Sequence, residues 1–358
     1  MNSSSLLNTE TPNALNPSTR PVTGAHDYLA GLWAKGCQFL GTKYAILGGA
    51  MTWVSDHNLV AALSNAGAFG VLASGAMPAG ILKEEIEKTR AHTNKPFGVN
   101  LITLHPDLDR LIDICIETNC SHVVLAGGIP PKHAIQKLKA ANIKVICFAP
   151  ALALAKRMIQ YGADALVIEG NEAGGHIGPV STSVLAQEIL PHITDVPVFI
   201  AGGIGRGETM LSYLEMGAAG VQMGTRFVCA QECNAHPNFK KAFIKSSARN
   251  ATISTQLDKR LPVIPVRAIH NKATDQFMDF QKDIITRVDQ GDLDLSKAQL
   301  EIESFWAGAL RKAVVDGDIE NGSLMAGQSV GLVSKEEPIA EILETVYQQA
   351  IDTLSKRV

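Results

Sequence analysis

The run Glu169-Gly-Asn-Glu-Ala-Gly-Gly-His176-Ile-Gly178 sets one imidazole among glycines, directly after the apolar stretch Ala165–Glu169. Gly174, Gly175 and Gly178 carry no Cβ, so the chain there can pass close to a planar ligand. Histidine changes charge near neutral pH, so His176 in such a loop can give or take a proton during a reaction. The other nine histidines lack this setting and are read as surface or satisfied core residues. Glu169 closes the apolar stretch and can accept from a ligand hydroxyl, with a structural hydrogen bond as the alternative.

Two further glycine motifs follow apolar runs. Ala201-Gly-Gly-Ile204 and Gln222-Met-Gly-Thr-Arg226 lie where backbone N–H groups at Gly202, Gly203 and Gly224 can approach a phosphate unhindered. Thr225 can add a hydroxyl donor, and Arg226 can add charge or face a carboxylate elsewhere. The plain alternative is a pair of tight turns. Leu47-Gly-Gly-Ala-Met-Thr-Trp53 contributes Gly49 and Met51, small and soft residues against which a flat ring can lie. Asn100, in Gly98-Val-Asn100, can hydrogen-bond a polar ring edge.

Something must bring these separated motifs together. Eight apolar runs recur at Tyr44–Met51, Gly70–Ser74, Pro96–Thr103, His122–Gly127, Lys144–Ala149, Ala165–Glu169, Val196–Gly202 and Gly220–Phe227. Helical patterns separate them. Asp56 is an N-cap signal ahead of Leu59, Val60 and Leu63 with Gly67 as the stop, and Pro131 opens a second helix. Ala151–Tyr161 and Glu208–Met216 repeat the pattern. Strand–helix alternation allows a closed barrel or an open doubly wound sheet. Eight strands is the closing number, and no GxGxxG follows a strand, since Gly203-Ile-Gly205-Arg-Gly207 brings its third glycine one place early. The unusual residues also cluster after runs six, seven and eight, where a barrel builds its active face. The expected fold is therefore α/β, a TIM (β/α)8 barrel with an inserted segment after strand eight and C-terminal helices.

Along the chain, 1–25 is expected to be a disordered lead, 26–232 the barrel, 233–332 a segment over the mouth with helices completing the domain, and 333–358 a terminal amphipathic helix. Leu295–Val315 reads as helical from the spacing of Leu300, Ile302, Phe305, Leu310 and Val314. Of the 358 residues, 46% are hydrophobic but only 5% aromatic, which suits a buried parallel sheet wrapped by helices. A net charge of −3 gives no electrostatic case for nucleic acid or an anionic membrane. The six cysteines show no metal or disulfide spacing and read as reduced thiols. The lead has neither the basic start nor the apolar core of a targeting peptide, and no run reaches the ~20 residues of a membrane span, so a cytoplasmic protein is expected.

The order GGAMTWVSD, LVAALSNAGAFGVLASG, KPFGVN, EAGGHIG, AGGI and GVQMGTRF resembles the nitronate monooxygenase (2-nitropropane dioxygenase) family, which includes the flavin-containing enoyl-acyl-carrier-protein reductase II. The resemblance runs from about Tyr44 to Leu332. It implies an FMN-binding barrel with His176 near flavin and substrate, and a phosphate site at Gly202, Gly203, Gly224 and Thr225. Asn100, Glu169 and the backbone near Met51 would meet the flavin and ribityl groups. With the loop glycines, the expected cofactor set is Gly49, Met51, Asn100, Glu169, Gly174, Gly202, Gly203, Gly224 and Thr225, without a metal.

Within the family, the Gly-His-Ile-Gly core, Cys233–Pro237, the tail Val315–Gln328 and the run Val266–Asn271 lean toward the reductase, with NAD(P)H as co-substrate and an acyl thioester as acceptor. Gly128-Ile-Pro-Pro131 resembles many nitronate monooxygenases, and Pro179 stands where the reductases would carry a basic residue. Oxidation of alkyl nitronates with FMN and O2 is the alternative activity. A barrel that binds flavin without catalysis would not account for His176. A small-molecule or thioester substrate is expected, and a homodimer is compatible with the sequence.

Overall fold

The computed structural model describes residues 24–75, 77–261 and 265–357. Eight parallel strands form one sheet: β1 (Ile46–Gly48), β2 (Gly70–Ala73), β3 (Phe97–Ile102), β4 (His122–Ala126), β5 (Lys144–Phe148), β6 (Ala165–Glu169), β8 (Val198–Ala201) and β9 (Gly220–Met223). Their order, β1-β9-β8-β6-β5-β4-β3-β2, brings β1 back beside β2. Gly48 N donates to Phe69 O at 2.8 Å and Phe69 N to Ile46 O at 2.9 Å, which closes the wall. The molecule is thus a TIM barrel rather than an open sheet. The strands are buried on both faces, which is why they read as unbroken apolar runs.

The connecting helices are α2 (His57–Asn65), α3 (Ala79–His92), α4 (Leu108–Glu117), α5 (Lys132–Ala140), α6 (Leu152–Tyr161), α7 (Thr182–Ile189) and α8 (Gly207–Glu215). Asp56 caps α2 by accepting from Asn58 N and Leu59 N, both at 3.1 Å. Pro131 stands one place before α5, as its N-cap rather than its first residue.

Three regions depart from the sequence pattern. The eighth run stops at Met223, and Thr225–Val228 makes a single helical turn, α9. Short apolar stretches do not distinguish a strand from a buried helical turn. At the other end, Gly24 and Ala25 open helix α1 (Gly24–Leu40), which buries Leu29, Trp33 and Leu40. Trp33 packs beside Tyr44 and Tyr347, the latter on the last helix, α13 (Ile339–Ser355). The rest of the expected disordered lead, 1–23, lies outside the described residues.

The third departure is the segment over the mouth, which holds more regular structure than its composition indicated. It contains α10 (Pro237–Lys245), β10 (Ala251–Ile253), β11 (Val266–Ile269), α11 (Lys272–Asp289) and α12 (Leu295–Val314). Strands β10 and β11 pair antiparallel, and β11 also pairs with the two-residue strand β7 (Gly175–His176). Helix α11 and the N-terminal part of α12 share a small core with Val266, built on Phe277, Ile284, Ile302 and Trp306, while Leu310 and Val314 of α12 join the barrel core. On α12 Ile302, Leu310 and Val314 are buried as expected, but Leu300 is 61% exposed.

Candidate active site

At the C-terminal ends of the strands, register places Glu169, Ala201, Gln222 and Leu47 in one row across β6, β8, β9 and β1. Asn100 lies across the barrel, aligned with Ala73 and Val124. Asn100 is 5% exposed, and its carbonyl accepts from Ser74 Oγ at 2.5 Å. Among the described residues no hydrogen bond engages the side chains of Asn100, Glu169 or Gln222. Glu169 and Gln222 are half-buried, so these side chains are open to a ligand at the barrel mouth. The mouth leaves part of Glu169 accessible, yet the surrounding protein desolvates its carboxyl and pushes its pKa up to about 8.

The loops after β1 and β9 meet beside this row. Gly49 N donates to Met223 O at 2.8 Å, and Met51 Sδ lies 3.4 Å from where a Cβ on Gly224 would stand. Ser55 Oγ accepts from Met51 N at 3.0 Å and donates to Gly49 O at 2.9 Å, which fixes the β1 loop. Gly49, Met51, Gln222 and Gly224 therefore form one wall.

The β8 turn makes the second wall. Gly202 and Gly203 have φ of +97° and +73°, and a Cβ on Gly202 would come within 2.9 Å of Thr182 Oγ1. Thr182 is held by Glu172, whose carboxylate accepts its N–H at 2.9 Å and its hydroxyl at 2.8 Å. A cavity of about 320 Å³ opens here between Gly202, Gly203, Thr209, Tyr213, Gln328 and Ser329. Thr225 Oγ1 accepts from Gly327 N at 2.9 Å, which leaves its hydroxyl proton for another acceptor. Arg226 turns away: its guanidinium pairs with Glu337 at 2.6 Å, so of the two partners open to it the carboxylate holds it.

His176 sits on β7, exposed, opposite Val266 of β11. Ile177 N donates to Pro265 O at 2.9 Å. The loop is thus presented by the mouth segment instead of standing free. Gly174 also meets a packing demand: a Cβ there would strike Ala326 C and Gly327 N at 2.5 Å. The stretch Ala326–Gln328 backs the histidine loop, and Gln328 N donates to Glu172 O at 2.9 Å. Neither this stretch nor Gln222 was singled out by residue type, although both lie inside motifs that carry the family resemblance.

The closed barrel, with its polar groups gathered at the C-terminal mouth, defines a (β/α)8-barrel enzyme. The family model for nitronate monooxygenase matches residues 35–113 and 108–349, and the chain belongs to that oxidoreductase family. It is 37% identical over 221 residues to (3aS,4S,5R,7aS)-5-hydroxy-7a-methyl-1-oxo-octahydro-1H-indene-4-carboxyl-CoA dehydrogenase of Rhodococcus jostii, an alignment covering 62% of each chain. A probable nitronate monooxygenase of Staphylococcus aureus is 28% identical over 89% of this chain and 98% of its own. Among solved structures, FabK from Thermotoga maritima superposes with a TM-score of 0.79 at 35% identity, covering 89% of this chain and 96% of its own. No described helix is long and apolar enough to cross a membrane.

Proposed function

We propose that this chain is an FMN-dependent NAD(P)H oxidoreductase that reduces an enoyl thioester. The proposal is supported by one observation: Glu169, which ends β6 ahead of the His176 loop, lies in register with Ala201 and Gln222, directly beside the Gly202–Gly203 turn. These residues fit a flat, polar-edged ring with a phosphate tail. The turn and Thr225 offer donors for the phosphate, and Asn100 and Gln222 offer amides for the ring. Bound there, FMN would supply the hydride relay between NAD(P)H and substrate.

The remaining work belongs to the chain. Glu169, with its pKa near 8, is largely neutral at pH 7 and can donate one hydrogen bond where an ionised carboxylate could only accept. His176 polarises the thioester carbonyl or delivers the proton as the enolate collapses. The thioester assignment is supported by FabK and by the carboxyl-CoA substrate in the Rhodococcus relative's name.

Nitronate oxidation is the second possibility, favoured by the loop Gly128-Ile-Pro-Pro131 after β4 and by the Staphylococcus relative. Turnover assays separate the two. NAD(P)H consumption dependent on an enoyl thioester supports the first, whereas oxygen uptake with a nitronate and no pyridine nucleotide overturns it.

A further inference from the structure

The loop carrying His176 is closed at its neck, where Asn171 N donates to Val180 O at 2.8 Å and Asn171 Nδ2 to Pro179 O at 3.2 Å. Its tip pairs with β11 at His176 and Val266, and Ile177 N donates to Pro265 O just before that strand. Arg267, the β11 residue opposite Gly175, is only 5% exposed. Its Nε donates to Asn171 O at 2.9 Å and its Nη1 to Ala251 O at 2.6 Å. One guanidinium thus grips the neck of the histidine loop on one side and β10 on the other. No described carboxylate lies within ion-pair distance of it.

Burying a cation without a partnered carboxylate is costly, and an apolar side chain fills space more favourably. What the guanidinium adds is a rigid fork that serves two carbonyls at once, which neither a lysine nor an apolar residue reproduces. The two carbonyls belong to the two pieces whose relative placement sets where His176 stands.

We propose that Arg267 is a positioning residue that fixes the His176 loop against the mouth sheet, so that the imidazole is held in its working place. The catalytic arm of this proposal rests on the assignment of His176 given above; the structural arm does not. Misplacing a reacting group by about 1 Å can cost on the order of 100-fold in rate.

The test uses the full chain with Arg267→Met and Arg267→Lys. Lysine keeps the charge but donates from a single centre, and it carries the test if the methionine variant fails to fold. Amide exchange at Ile177 is expected to accelerate about tenfold or more in either variant, with the barrel strands unchanged. Turnover is expected to fall about 10- to 100-fold in the parent, with no further fall in a His176→Ala background. Unchanged exchange at Ile177 overturns the proposal even if the protein proves to turn over neither substrate. Equal losses of turnover with and without His176 overturn it as well.

Discussion

In the barrel wall, Val, Ile, Leu and Ala from eight strands share a continuous core with the surrounding helices. Of the cap over the mouth, α11 and the N-terminal part of α12 hold together on a separate cluster of eight buried residues, dominated by Phe277 and Trp306, whose rings lie 4.3 Å apart, while Phe239, Phe243, Ala251 and Ile269 tie the rest of the cap into the barrel core. The wall positions the phosphate-type turns and the polar row by strand register, which is rigid. The cap positions His176 through one short antiparallel ladder and Arg267. On the proposed function, the parts that would hold the cofactor and the part that would carry the proton chemistry rest on different supports.

Four substitutions test that contrast. His176→Ala should lower turnover by about 10²- to 10⁴-fold with cofactor content unchanged, measured as kcat on the loaded protein. An unaltered kcat would remove the cap from the chemistry. Trp306→Ala should destabilise the cap by about 3–5 kcal/mol. The loss should appear as faster amide exchange in α11, α12 and β7 with little change in the barrel strands. If exchange rises equally throughout, cap and barrel are one cooperative unit.

Gly202→Ala puts a side chain on a backbone with φ of +97°, close to Thr182 Oγ1, at a cost of about 1–3 kcal/mol. Weakened FMN binding in a fluorescence titration, with the cap's exchange unaltered, would place the defect in the wall. The last test concerns Glu169 and depends on pH. Its folded pKa of about 8 exceeds the ordinary 4.5, so the folded state keeps the proton longer. The burial penalty is absent below about pH 4.5 and grows as the pH rises through 8, so the unliganded protein loses stability across that window. Glu169→Gln should raise the melting temperature at pH 8 and leave it unchanged at pH 4. A rise of equal size at both pH values would contradict this account of the carboxyl.

The wall was legible in the sequence because its strands are buried on both faces and its helices carry local signals such as Asp56. The cap was less so. Helix α11 places Phe277, Ile284 and Val288 at helical spacing behind the Asn271 cap, a signal that is present but diluted by many charged residues. The pairing of His176 with Val266 joins segments far apart in the chain, and a two-residue strand leaves no local pattern. Arg226 was open to two partners for the same reason: Glu337 lies 111 residues away. The candidate residues themselves were visible as motifs, while their supports, Arg267, Thr182 and Ala326–Gln328, act through contacts that only the folded chain creates.

In the proposed function, the wall holds a flavin and the cap brings His176 to it. The most direct measurement is an anaerobic stopped-flow record of the FMN-loaded protein mixed first with NAD(P)H and then with an enoyl thioester. Bleaching of the flavin absorbance, followed by its return in the parent and a slowed return in His176→Ala, is the predicted result. A protein that cannot be loaded with FMN, or a flavin that the pyridine nucleotide does not bleach, would contradict it.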